Sequence, residues 1–221
     1  GTANYWLFIP TVFCENRNHD VIKEALYNEL GYSVTGKYKN FTHQLLKAYE
    51  KGETLDLSSL GQLNTITEQS DRVFRNVDGI KFLNHQGGCG GIRQDAAILS
   101  KLLAAYADHP NVAGITVLSL GCQNLQLNDL VNDIKLRNPG FDKPLYLFEQ
   151  QQSKSEEQLL KEAILQTFVG LTEINKLGRQ PVPLSKLTLG VKCGGSDGFS
   201  GISANPAVGY TADLLVALGG K

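Results

Sequence analysis

The side chains of this 221-residue chain whose setting best suits chemistry stand in four short turns, two of them rich in glycine. The first is Asn84-His85-Gln86-Gly87-Gly88-Cys89-Gly90-Gly91, which sets an imidazole and a thiol four positions apart. Glycines there let backbone N–H groups approach a ligand, and a helix that follows would favour an anion at its start. The Gly-Lys-Ser/Thr ending of a P-loop is absent, and so is the spacing of a dinucleotide fingerprint, so His85 and Cys89 read instead as metal-competent side chains. The second turn, Lys192-Cys193-Gly194-Gly195-Ser196-Asp197, packs a cation, a thiol, a hydroxyl and a carboxylate into six residues, a mixture suited to a polyhydroxy acid. Leu120-Gly121-Cys122-Gln123 and Phe148-Glu149-Gln150-Gln151 supply the other two. Arg17 and Arg93 stand near two of these places, where a guanidinium can clamp a carboxylate in a bidentate manner. His19, His43 and His109 lie in or beside helical segments and read as ordinary surface or core residues.

The four cysteines, Cys14, Cys89, Cys122 and Cys193, are widely separated and include no C-x-x-C pair. Their spacing alone reads as four free thiols packed as small hydrophobes. Their places in the expected fold say more. Residues 5–12 (YWLFIPTV) read as a buried strand, and 20–30 as a helix ended by Gly31. Lys37–Glu50 has a weaker helical pattern, and 51–77 reads as an irregular excursion or small subdomain. A regular alternation follows: strands at 79–83, 113–118, 144–148 and 187–191, with helices at 94–106, 127–136, 153–175 and 206–218. Ser153 with Glu156 is placed as the capping box of the long helix, and Pro206 in the first turn of the last one. Such alternation predicts an α/β fold, an open, doubly wound, mostly parallel sheet of about five strands in a Rossmann-like three-layer sandwich. The whole chain is read as a single α/β domain. Every cysteine then falls just past the carboxyl end of a strand, the edge where open α/β sheets bind ligands.

Charge and hydropathy narrow the class. The formal net charge of -1, from 21 basic and 22 acidic residues without long like-charge runs, argues against a nucleic-acid or membrane-surface partner. No apolar run approaches the ~20 residues that span a bilayer, and the first ten residues lack the regions of a signal peptide, which points to the cytoplasm. The absence of any methionine and the Gly219-Gly220-Lys221 ending read as a central piece of a longer polypeptide.

The turns also carry a family likeness. Gly1-Thr2-Ala3-Asn4-Tyr5-Trp6 with Ile9-Pro10-Thr11-Val12-Phe13-Cys14, the His85–Gly91 turn, the Leu120–Gln123 turn, and Lys192-Cys193-Gly194-Gly195-Ser196-Asp197 running on through Gly198-Phe199-Ser200-Gly201-Ile202-Ser203-Ala204-Asn205-Pro206 resemble the altronate/galactarate dehydratase family. Cys14-Glu15-Asn16-Arg17 and Phe148-Glu149-Gln150-Gln151-Gln152 lean toward its altronate branch. The resemblance implies a hydro-lyase that converts D-altronate to 2-dehydro-3-deoxy-D-gluconate and water in hexuronate catabolism, with galactarate as the alternative substrate. It implies iron(II) or manganese(II) as divalent metal, a small anionic sugar acid as substrate, the remaining N- and C-terminal parts of the enzyme as partners, and an oligomeric state left open. On this reading His85, Cys89, Cys122 and Cys193 line the metal, with Cys14 a weaker candidate. Lys192, Asp197 and His85 are the catalytic candidates, and Arg17, Arg93, Ser196 and Gln123 hold substrate. Two readings compete: a noncatalytic flavodoxin-like ligand-binding domain, and an iron–sulfur dehydratase using the four thiols.

Overall fold

The computed structural model describes residues 1–33, 37–53, 71–192, 194–195 and 197–221. The described residues group into two compact units, Gly1–Leu177 and Gly178–Lys221. Most of the excursion expected at 51–77, namely 54–70, lies outside the described residues.

The larger unit is built on a parallel sheet of four strands: β1 (Tyr5–Pro10), β2 (Gly79–Phe82), β3 (Val112–Ser119) and β4 (Leu145–Glu149), in the order β2-β1-β3-β4. β1 is apolar throughout because both its faces are covered, as parallel strands require. Alternate side chains go to opposite faces. Trp6 and Phe8 pack with Ile22, Leu26 and Leu30 of α1 (Asn16–Leu30) and with Ala163, Leu171 and Ile174 of α5 (Glu156–Ile174). Leu7 and Ile9 pack on the other face with Leu103, Ala104 and Ala107 of α3 (Arg93–Asp108) and Leu130 and Ile134 of α4 (Leu127–Arg137). These are the three layers expected from the alternation. A further helix, α2 (Lys37–Glu50), has the expected bounds.

Trp6 sits at the middle of the sheet only because two small residues make room for it. A Cβ on Gly114 would lie 2.2 Å, and one on Gly170 2.1 Å, from the indole ring. Its Nε1 donates to Thr116 Oγ1 at 3.0 Å, and Thr116 in turn shares a 2.6 Å hydrogen bond with Thr167, so this buried polar chain is satisfied.

Two details depart from the sequence expectation. The long helix is capped by Ser155, whose hydroxyl accepts from Gln158 N, while Ser153 donates to Glu149 O in the preceding turn. The segment 187–191 is not a strand: Leu189 N and Leu187 O pair with Lys221 across two backbone bonds, and no ladder follows. In this smaller unit, α6 (Ala204–Ala217) buries none of its residues, so the pattern that makes 187–191 look like a core strand meets no sheet among the described residues.

Candidate active site

β1 runs between β2 and β3, and the chain passes from one side of it to the other through α3. That reversal makes the carboxyl ends of β1 and β3 a switch point, where doubly wound sheets open a crevice. Three of the chemistry-bearing turns meet there. Phe13 N donates to Gly87 O at 3.0 Å, Asn124 N donates to Gly88 O at 3.0 Å, and Thr11 N donates to Leu118 O at 2.9 Å. Cys14, Cys89 and Cys122 therefore share one rim, as their spacing after strands predicts, and all three are exposed free thiols.

The rim assigns the expected residues unequally. His85 locks its own turn: Nε2 donates to Pro10 O at 2.7 Å, and Nδ1 accepts from Gly87 N at 3.1 Å. Both ring nitrogens are thus engaged in holding the turn. Gln123 is buried and braces the β3–α4 turn, accepting from Gly121 N at 2.7 Å and donating to Ser119 Oγ at 2.7 Å and Leu125 O at 2.9 Å. Arg17 reaches across to α5 and pairs with Glu156 at 2.8 Å. Arg93 opens α3 and has no ion pair with a described residue; it lines a polar cavity of about 570 Å³ between α3 and α4, with Asn124, Asp129, Asn132 and Gln123. α3 lines it with the small side chains of Ala96, Ala97 and Ser100 between Arg93 and Lys101.

In the smaller unit Lys192 is exposed, and Asp197 closes a turn by accepting from Ser200 N at 2.8 Å and from Ser200 Oγ. Those bonds hold the Asp197 carboxyl below its ordinary range. Cys193 and Ser196 lie outside the described residues. Among the described residues no three His, Cys, Asp or Glu side chains gather to hold a metal. Cys193, the fourth expected ligand, is not among the residues searched.

One part of the rim escaped the sequence reading. Glu15, Asn18 and His19 are buried where β1 passes through a 3-10 turn (Phe13–Glu15) into α1. Glu15 accepts from Asn18 Nδ2 at 2.9 Å through Oε2 only, and burial pushes its carboxyl up. His19, shut between Phe8 and Phe82, is pushed down to about 4 by burial. The available signal was the density of polar residues directly after an apolar strand, with Glu15 and His19 one helical turn apart.

A wound α/β unit with laced turns at its switch point is an architecture that binds small molecules in that crevice. The sequence fixes which one: the chain belongs to the D-galactarate dehydratase/altronate hydrolase family, a family of hydro-lyases. The family profile described as "D-galactarate dehydratase/Altronate hydrolase, second domain" matches residues 1–175, and "D-galactarate/Altronate dehydratase, C-terminal" matches 184–221. The chain is 33% identical over 88% of its length to altronate dehydratase of Bacillus subtilis, covering 40% of that protein. It is 30% identical over 77% of its length to altronate dehydratase of Escherichia coli, covering 34% of it. Galactarate dehydratase (L-threo-forming) of Escherichia coli is 34% identical over half the chain, which covers 22% of that enzyme. The chain therefore spans two fifths or less of these relatives. No solved structure matches it significantly. No described helix is long and apolar enough to cross a membrane.

Proposed function

We propose that this chain is the substrate-handling core of a sugar-acid dehydratase that converts D-altronate to 2-dehydro-3-deoxy-D-gluconate and water. The observation that carries the reading is the 33% identity to an altronate dehydratase across 88% of the chain, through both family segments. Two altronate dehydratases match over more of the chain than the galactarate enzyme does, which favours altronate over galactarate.

Dehydration of a 2,3-dihydroxy acid removes a proton from C2 and hydroxide from C3, and the enol formed tautomerises to the 2-keto acid. The C2 proton is weakly acidic, so the reaction needs positive charge at the carboxylate where negative charge builds up. Arg93 is suited to this: it is a guanidinium at the rim with no anionic partner among the described residues, beside a cavity lined by amide and carboxylate groups that match hydroxyls. Arg17 is less suited, because Glu156 already occupies it. In the smaller unit, taken by itself, Lys192 and Asp197 are assigned as the acid–base candidates. Ser196 and Cys193 keep their assignments to substrate and metal, respectively, as part of this proposal. The divalent metal, iron(II) or manganese(II), would add Lewis acidity at the carboxylate.

The test is to assay the full-length enzyme with altronate and with galactarate, with iron(II) or manganese(II) supplied, and to follow 2-keto acid formation. Turnover of altronate that is abolished by Cys193→Ala is expected. Absence of turnover on both acids, or wild-type turnover in the variant, overturns the reading or the Cys193 assignment, respectively.

A further inference from the structure

Three polar atoms on the first turn of α1 lack any hydrogen-bond partner although they are buried: Glu15 Oε1, Asn16 Oδ1 and His19 Nε2. The Glu15 and His19 side chains are fully enclosed, at 0% exposure. A buried polar atom without a partner costs free energy, so three on a single turn require an explanation. Residues 15 and 19 are four apart and 16 and 19 three apart, which places them on one helix face. Side chains of a helix lean toward its start, so His19 leans along that face toward Glu15 and Asn16.

Neighbouring bonds decide what each atom offers. Asn84 Nδ2 donates to Asp20 Oδ1 at 3.4 Å, which turns Asn84 Oδ1 toward His19 Nδ1 at 2.9 Å. Nδ1 therefore carries the proton, and Nε2 presents a lone pair. Asn16 Nδ2 donates to His85 O at 2.8 Å, which leaves its Oδ1 facing the other way. Glu15 Oε2 is taken by Asn18, leaving Oε1. Phe8 and Phe82 meet the His19 ring edge to face, at 5.8 and 5.5 Å, and fix its plane. An imidazole whose second nitrogen donates to a fixed acceptor is the usual supporting arrangement of a histidine that binds metal. His85, with both nitrogens engaged, has the opposite character.

We propose that Glu15 Oε1, Asn16 Oδ1 and His19 Nε2 bind a divalent cation at the carboxyl end of β1. One imidazole with a carboxylate and an amide oxygen suits manganese(II) or iron(II) better than a soft, thiolate-seeking metal. The cation satisfies all three atoms at once and compensates the enclosed carboxylate. The site stands whether or not altronate is the substrate.

The test is to titrate manganese(II) alone into the 221-residue chain, without sugar acid, following unbound manganese by electron paramagnetic resonance and the histidine ring signals by NMR. One equivalent is expected to bind, with broadening of the His19 ring signals ahead of those of His43 and His109. Glu15→Gln keeps an acceptor for Asn18 and is expected to weaken binding roughly tenfold or more, as is Asn84→Ala, which frees the His19 ring. Cys89→Ser and Cys122→Ser are expected to leave it intact. No stoichiometric binding, with the three atoms served by water only, overturns the proposal. So does binding that survives Glu15→Gln but is lost in the cysteine variants. If Glu15→Gln loses its native circular dichroism, the broadening pattern of the unsubstituted chain decides: signals of His85 lost before those of His19 refute the site.

Discussion

Gly88 and Thr11 approach so closely that a Cβ on the glycine would stand 2.1 Å from the Thr11 carbonyl oxygen. This contact joins the His85–Gly91 turn to the end of β1, and Gly88 O holds the β3–α4 turn through Asn124 N. With φ at +96°, Gly88 also occupies backbone space that L side chains rarely adopt. Gly88→Ala is expected to destabilise the larger unit by about 2–4 kcal/mol, from strain and overpacking together. Urea unfolding followed through the fluorescence of Trp6, the one tryptophan, measures it; a loss below about 1 kcal/mol would mean the turn is not pinned there.

Burial depresses the His19 pKa from 6.5 to about 4. Between those values the unfolded chain binds a proton that the folded chain refuses, so the contribution is fully present above pH 6.5 and is lost as pH falls toward 4. The total change is about 3 kcal/mol. Glu15, pushed up by burial and to a smaller degree by Glu156, works in the opposite sense: its contribution is present below the ordinary carboxylate range and lost as pH rises through the folded value. With chelator present, the urea midpoint should fall as pH is lowered from 6.5 to 4.5. His19→Gln should flatten that slope; a parallel slope in the variant would assign the effect elsewhere.

Cys14, Cys89 and Cys122 are exposed on the rim. All three are expected to react promptly with a thiol reagent in the native, metal-free protein, and peptide mapping identifies them. Protection of any one until urea is added would contradict its placement.

The two candidate arginines should separate. Arg17 is already paired with Glu156 in an exposed bridge, a class worth about 0–1 kcal/mol, so Arg17→Ala should barely move stability. Arg93→Ala in the full-length enzyme should raise KM for the sugar acid roughly tenfold or more, the loss of a charged hydrogen bond. An unchanged KM would remove Arg93 from the substrate site.

The layers of the larger unit were legible in the sequence because burial on both faces leaves a plain mark. β1 is a continuous apolar run, and the helices around it carry apolar residues at helical spacing. The rim was legible because a cysteine just past a strand must fall at the carboxyl edge of a parallel sheet, and Cys14, Cys89 and Cys122 follow β1, β2 and β3. The 187–191 segment misled because an apolar alternation predicts a partner without naming one, and among the described residues its backbone bonds go to Leu184 and Lys221, not to a strand.

By itself, then, the amino-acid order determined the alternation of strands and helices, the family, and the edge at which glycines and thiols collect, since these depend on local periodicity and on motif spelling. Which imidazole offers a lone pair was decided only by tertiary structure. His85 looked like the ligand beside Cys89, and His19 like a plain helical residue, until the Pro10 carbonyl and the Gly87 amide closed the first and Asn84 opened the second. The physical reason is that a histidine's role depends on the hydrogen bond made by its other nitrogen, and that bond here joins residues 65 positions or more apart for both rings.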